Sequence, residues 1–280
     1  MSGTLWIVGT PIGNLEDLTP RAARALASCD AVLAEDTRRA RQLLAHLGIE
    51  KKEVVRHDAH ATDADHARAI ERLLAGESLA LVTDAGTPGV SDPGASLVAR
   101  AAAAGIVVSP IPGASAVVAA IAASGFSTGS FRFVGFLPRD GAGRDEALSR
   151  VVTDPDLVVF FESPRRIAET LRELARLAPT REVVVTRELT KLHEELVRGT
   201  LADIAEAPRE WLGEITVVLG PWDAPAEDSI DDATLDRWLG EQLDAGATVR
   251  EAARVVAARS GRPKREVYAR AVARHARATR

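Results

Sequence analysis

Two charged clusters in the second half of the chain have the residue types of acid–base chemistry. Phe160-Phe161-Glu162-Ser163-Pro164-Arg165-Arg166 closes one apolar run and opens a helical one. Thr186-Arg187-Glu188-Leu189-Thr190-Lys191-Leu192-His193-Glu194-Glu195 closes the next. A carboxylate near an ammonium, as in Glu188 and Lys191, suits removal of a proton from a weak acid such as a hydroxyl, and Glu162 is a further carboxylate of that kind. The plainer alternative is that Glu162 and Glu188 cap helices and pair with Arg165, Arg187 or Lys191. The first half offers a different resource. Gly9-Thr10-Pro11-Ile12-Gly13-Asn14-Leu15, the long stretch Thr83–Gly94, and Ile111-Pro112-Gly113-Ala114-Ser115-Ala116 are built of small residues, glycine and proline. Such loops let a ligand lie against backbone amides and carbonyls. The first lacks the third glycine of a dinucleotide fingerprint, and Pro11 removes a donor that a phosphate cradle would use. His57, Asp58 and His60 are too loosely spaced for zinc, so no metal is expected, and neither Ser115 nor Ser163 sits in a nucleophile elbow.

The elements that must position these groups follow from the apolar pattern. Leu5–Val8, Ala31–Ala34, Val54–Val55, Leu79–Val82 and Ile106–Val108 are short strand-like runs. Helical stretches separate them, one entered through Thr19-Pro20 and others stopped by Gly48, Gly76 and Gly105. Strands alternating with helices imply βαβ crossovers and a parallel sheet. In such sheets ligands bind beyond the carboxyl ends of the strands, where these loops fall. Ser124–Ser130 reads as a boundary. Beyond it, strands at Phe131–Phe136, Leu157–Phe161 and Glu182–Arg187 alternate with helices at Asp145–Val152 and Pro164–Leu177. The last strands, to Ile215–Leu219, have no long helix between them, which predicts antiparallel edges. The expected organisation is α/β: an N-terminal parallel domain over 1–123, a mixed-sheet domain over 130–221, a linker over Pro221–Asp232, and a basic helical tail over 232–280. In the tail, Val249–Ala258 and Pro263–Ala276 flank Arg259-Ser260-Gly261 and have the outline of a helix-turn-helix, with Ala252, Val255, Val256, Val267 and Ala271 in contact.

Composition narrows the classes. Of 280 residues, 46% are hydrophobic and 27% charged, which excludes a disordered or fibrous chain. No run approaches the roughly 18 apolar residues of a membrane span, and no basic leader precedes Leu5, so a cytoplasmic protein without a membrane partner is expected. The single Cys29 excludes a disulfide framework. Net charge is −5, but the residues from 250 onward carry +8 and the first 249 carry −13. An acidic body with a basic tail suggests a polyanion touched at one end, through Arg262, Lys264, Arg265 and Arg270.

Taken together and in order, the three small-residue loops, Glu35-Asp36-Thr37-Arg38, Phe161-Glu162-Ser163-Pro164, Arg187-Glu188-Leu189-Thr190-Lys191 and Arg198-Gly199-Thr200 carry a specific likeness. The chain resembles the tetrapyrrole-methylase-like superfamily, the class III S-adenosylmethionine-dependent methyltransferases, and within it the members that modify ribosomal RNA. The resemblance covers about Thr4 to Pro221. It implies two α/β domains with S-adenosyl-L-methionine in the cleft between them, and a homodimer. The implied reaction is 2′-O-methylation of a cytidine in the decoding region of 16S rRNA, within the 30S subunit. Carried over motif by motif, cofactor contacts fall on Ile12, on Thr87 and Val90, on Ser115 and Ala116, and on Phe161, Leu189 and Ile215. The second loop has Thr-Pro where corrin methylases have Asp-Pro. Asp36 and Arg38 would position RNA, and Glu188, Lys191 and Glu162 are the candidate bases. Two other readings remain: a tetrapyrrole methylase using the same cofactor site, and a non-catalytic RNA-binding protein. The low aromatic content, 4%, leaves the latter few stacking platforms.

Overall fold

A computed structural model describes residues 2–127, 129–222 and 231–278. Thr128 of the expected boundary and residues 223–230 of the expected linker lie outside the described residues. The chain divides into two units, Met1–Ala119 with Glu188–Glu194, and Ala120–Arg187 with Glu195–Arg280.

The first unit is built on β1 (Thr4–Val8), α1 (Pro20–Ser28), β2 (Ala31–Ala34), α2 (Thr37–His46), β3 (Glu53–Arg56), α3 (Asp63–Leu74), β4 (Leu79–Val82), α4 (Ala95–Ala103) and β5 (Val107–Ile111). α5 (Ala116–Ser124) then carries the chain into the second unit. The sheet order is β3-β2-β4-β1-β5 and every pair is parallel. Its strands are apolar along their length because both faces are covered. Alternate residues feed two separate cores: Ala31, Leu33, Leu79 and Leu81 join Leu5, Leu73 and Leu97 on one face. Val32, Ala34, Ala80 and Val82 join Val8, Leu26 and Leu44 on the other. Truncating any of these buried leucines to alanine costs about 2–5 kcal/mol. Local signals fix the helix starts. The Thr19 hydroxyl accepts the Ala22 N–H ahead of Pro20, Asp36 accepts the Arg38 N–H, and Thr62 with Asp65 forms a capping box.

The second unit contains β6 (Phe131–Phe136), α6 (Gly141–Thr153), β7 (Leu157–Glu162), α7 (Ile167–Leu177), β8 (Glu182–Arg187), β9 (Glu195–Thr200), α8 (Leu201–Glu206) and β10 (Ile215–Leu219). The order is β6-β7-β10-β8-β9. β6 pairs parallel with β7, and the remaining pairs are antiparallel, so the sheet is mixed. The short helix α8 has no counterpart in the sequence reading, although its Thr200/Asp203 capping box is a recognisable signal. α7 lays Ile167, Leu171, Leu174 and Leu177 on the core.

The tail forms α9 (Asp232–Asp244), α10 (Val249–Ser260) and α11 (Lys264–Ala278), with Gly261 left-handed at the end of α10. Ala252, Val256, Val267 and Ala271 share a core with Leu235 and Leu239. Val255, expected in that contact, turns instead into the core of the mixed sheet, and Arg254 pairs with Asp145 of α6. Among the described residues no helix is long and apolar enough to cross a membrane.

Candidate functional site

Because β1, β4 and β5 are adjacent and parallel, the loops that follow them emerge together. Gly9 and Gly113 meet backbone to backbone: a Cβ on Gly9 would lie 2.8 Å from Gly113 Cα, so only glycine fits. Thr10 and Gly86 exchange backbone hydrogen bonds of 2.8 and 3.1 Å, and the Thr10 hydroxyl donates to the carbonyls of Thr83 and Gly86. Gly86 is left-handed, at φ +82°, and its bare Cα faces Ile12 Cγ2 and the Ala114 carbonyl, 3.7 and 3.9 Å from where a Cβ would stand. Three loops of small residues thus converge at one end of the sheet. An adenine-sized group needs an apolar wall and backbone polar atoms, and Ile12, the Gly86 backbone and the Ala114 carbonyl provide them. The donor set therefore fits a nucleoside cofactor.

The other expected cofactor contacts are placed as follows. Thr87 opens a turn whose carbonyl accepts the Val90 N–H at 3.2 Å, and the Val90 side chain is exposed. Ser115 precedes α5, its hydroxyl 3.5 Å from the Val118 N–H, with Ala116 next to it. In the second unit, Phe161 packs edge-on to Phe133 at 5.0 Å and near Phe136 at 5.5 Å. Ile215 is buried on β10 opposite Glu162 and Arg187. Thr10, Gly86 and Ala114 were not singled out by sequence reasoning, because the bridge between the first two joins loops 76 residues apart.

Leu189 belongs to the segment Glu188–Glu194, which joins the first unit. Glu188 and Thr190 are left-handed at φ 52° and 65°, conformations that cost a non-glycine residue about 1–3 kcal/mol each. The turn is pinned on several sides. Lys191 N–H donates to Glu188 O at 3.0 Å, the Glu194 carboxylate accepts the Thr190 N–H at 2.6 Å, and the Thr190 hydroxyl accepts the Asn14 N–H at 3.1 Å. Gly13 lies against it so closely that a Cβ there would stand 2.9 Å from Thr190 Oγ1 and 3.0 Å from Leu189 O. Within this frame Lys191 Nζ meets Glu188 Oε1 at 2.9 Å, both side chains partly open. The loop after β1 therefore carries a strained turn bearing an ammonium–carboxylate pair.

Glu162 needs a correction. It is buried, Oε1 accepts the Ser163 N–H at 2.8 Å, and Oε2 accepts the Thr170 hydroxyl at 2.9 Å and lies 3.3 Å from Arg166. Both oxygens are engaged in holding the start of α7, and the side chain is buried. Of the RNA candidates, Asp36 caps α2 and holds Arg38 through two side-chain hydrogen bonds of 3.2 and 2.7 Å. Arg262 and Arg270 do not point away from the tail. Arg270 pairs with Asp232 at 2.8 Å and Asp236 at 2.6 Å, and Arg262 with Glu266 and with Asp232 at 3.5 Å. Lys264 and Arg265 are exposed.

A carboxylate cluster at the ends of β2 and β4 is a further feature. Asp84 accepts the Asp36 N–H at 3.1 Å and lies 3.5 Å from Arg39. Burial, then Glu35 and Asp84, push the Asp92 carboxyl up to about 6. Burial and Asp84 likewise raise Glu35. His57 is buried with its ring 4.9 Å from that of His66, and among the described residues no group of three His, Cys, Asp or Glu could hold a metal ion.

The fold and its converging loops define an α/β methylase architecture. Residues 4–205 match the family of Tetrapyrrole (Corrin/Porphyrin) Methylases, and the chain belongs to that family. Solved structures bear out the fold: the methyltransferase CobJ superposes with a TM-score of 0.58 at 22% identity, covering 79% of this chain and 95% of that one. Uroporphyrin-III C-methyl transferase from Thermus thermophilus, complexed with S-adenyl homocysteine, gives 0.55 at 23%, covering 78% and 97%. Much closer in sequence is Ribosomal RNA small subunit methyltransferase I. The Xylella fastidiosa (strain Temecula1) protein of that name is 43% identical over 272 residues, covering 95% of this chain and 98% of its own. That of Bacillus subtilis is 38% identical over 275 residues, covering 95% and 93%. Residues 229–275 match the RsmI C-terminal HTH domain.

Proposed function

We propose that this protein is an S-adenosylmethionine-dependent methyltransferase of small-subunit ribosomal RNA. Its target is the 2′-hydroxyl of a cytidine in the decoding region, presented by the 30S subunit, and it works in the cytoplasm as a homodimer. The observation that carries this reading is the likeness to Ribosomal RNA small subunit methyltransferase I along nearly the whole chain, tail included. Proteins of the tetrapyrrole branch share the fold at 22–23% identity, well below the 43% of the rRNA enzyme.

The chain's own residues divide the work. Ile12, Gly86, Thr87, Ala114, Ser115 and Ala116 hold the cofactor, and Gly9 with Gly113 lets the loops close on it. Bound there, the cofactor supplies an electrophilic methyl group on a sulfonium sulfur. The protein's contribution is alignment and a place for one proton. Glu188 takes the proton of the 2′-hydroxyl as that oxygen gains the methyl group, and Lys191 holds the carboxylate in position. Lys264 and Arg265 meet rRNA phosphates, which supply affinity and orientation with little sequence readout.

The test uses labelled S-adenosylmethionine with 30S subunits, free rRNA and a precorrin-type tetrapyrrole. Label is expected in a ribose of 16S rRNA from 30S subunits. Label only in the tetrapyrrole, or nowhere, overturns the reading.

A further inference from the structure

A hollow of the first unit, about 510 Å³, opens where β2 and β3 end. Its walls are Glu35, Asp36 and Arg38 after β2, Arg56 at the end of β3, and Asp58 and His60 just beyond. β2 and β3 are parallel neighbours with Ala34 opposite Arg56, so both loops leave the sheet at the same end. The volume lies within the range of small-molecule sites, roughly 300–1,000 Å³, and accommodates a nucleobase with its sugar.

The charges are sorted by depth. The side chains of Asp58 and Asp36 are 14% and 26% exposed, those of Arg56 and Arg38 72% and 84%. Acceptors therefore form the floor and guanidinium groups the rim. Each arginine is tethered by its own carboxylate, Arg56 Nε to Asp58 at 2.7 Å and Arg38 Nη2 to Asp36 at 2.7 Å. A guanidinium has five N–H donors, so each keeps donors for a ligand. Three acids against two arginines make the lining slightly negative, which disfavours a free polyanion inside. The complementary ligand has a hydrogen-bond donor edge within and a negative group outside. An amino-bearing base on a phosphodiester chain has that form.

We propose that this hollow is a base-reading pocket, taking an amino-bearing nucleobase with its exocyclic amine on Glu35 and Asp58 and its phosphate toward Arg38 and Arg56. It rests on the rRNA-methyltransferase reading above and names cytosine as the base. Carboxylates accept from the N4 amine of cytosine, whereas uracil would set a carbonyl oxygen against them. Glu35, whose carboxyl is already held above its usual range by burial and Asp84, gains most from such a donor. The wall is tied to the cofactor side, since the Asp36 N–H donates to Asp84 at the start of the loop that carries Thr87. A base seated here is therefore anchored next to the loop assigned to the methyl donor.

The test compares reconstituted 30S subunits carrying cytosine or uracil at the methylated position. Wild-type protein is expected to favour cytosine by about a hundredfold or more in kcat/KM. Glu35→Gln and Asp58→Asn each shrink that ratio by about tenfold to a hundredfold, chiefly through poorer use of cytosine, with cofactor affinity unchanged in calorimetry. Arg56→Gln, at an exposed position, raises KM for both subunits alike. An unchanged ratio in Glu35→Gln and Asp58→Asn, or equal losses on both substrates, overturns the pocket. If Asp58→Asn does not fold, Glu35→Gln and Arg56→Gln still decide. Inactive wild type on cytosine-bearing subunits would instead overturn the parent reading, and the pocket with it.

Discussion

The buried charges of the mixed-sheet unit and the loop charges of the parallel-sheet unit are used in opposite ways. Arg181 is fully buried and donates from Nε to Gly220 O, from Nη1 to Val151 O and Val152 O, and from Nη2 to Asp156 O, all between 2.9 and 3.0 Å. Arg144 donates to Thr170, Glu173 and the Pro138 carbonyl, and Glu162 is similarly consumed. Each of these groups spends its valence on holding the fold. In the other unit, Glu188 and Lys191 sit on a turn with two left-handed residues, Ser91 is left-handed at φ 61°, and Asp92 lies among like charges. Local rules are broken there and obeyed in the mixed sheet, and strain tends to collect where chemistry is done.

The sharpest way to break this contrast is kinetic. Lys191→Met and Glu188→Gln are each expected to lower turnover on 30S subunits by about 10²–10⁴-fold, the usual scale of general acid–base catalysis. Cofactor affinity should stay nearly intact in calorimetry, because neither Glu188 nor Lys191 is itself an expected cofactor contact, although Leu189 between them is. Losses below tenfold in both would return the pair to the same structural class as Glu162.

The converse experiment belongs to Arg181. Burial lowers its pKa to about 10, which still leaves it charged at neutral pH. Arg181→Met removes a partner from four carbonyls at once and should cost about 3–5 kcal/mol. For a chain of this size that is a fall in Tm of about 5–9 °C, read by circular dichroism. Below the melting range, kcat should change little. A large loss of kcat in well-folded protein would dissolve the distinction between the two regions.

What the sequence revealed follows the same line. The parallel sheet was legible because strands covered on both faces read as apolar runs, and Thr19-Pro20 and Gly48 mark helix ends by local chemistry. The glycine-rich loops were legible because close backbone approach, as between Gly9 and Gly113, admits no other residue. The rest depends on contacts distant in sequence. Nothing local announces that Glu188–Glu194 joins the first unit, or that Arg181, two residues after a proline, is buried. The tail shows the limit most clearly. Arg262 and Arg270 read as free cations until α9 supplies Asp232 and Asp236 as partners, and Glu162 read as a base until Thr170 took its oxygen.

The smallest expected effect sharpens the contrast most finely, because it asks whether the loop charges cost the fold anything. Burial, then Glu35 and Asp84, raise the Asp92 carboxyl from the ordinary 3.8 of an aspartate to about 6. Between those values the native state binds more protons than the unfolded chain, so stability falls as pH rises through that window. As pH falls through about 4 the carboxyl becomes protonated in both states and the penalty fades. A shift of that size would amount to about 3 kcal/mol, but Asp92 is only partly buried, and solvent screening reduces it to about 1 kcal/mol. Asp92→Asn keeps the shape and removes the charge. Urea unfolding should therefore show the variant more stable than wild type by about 1 kcal/mol at pH 7 and indistinguishable from it at pH 4. A variant less stable at pH 7 would mean that Asp92 has a partner that welcomes its charge, and that this loop obeys the same rule as Arg181.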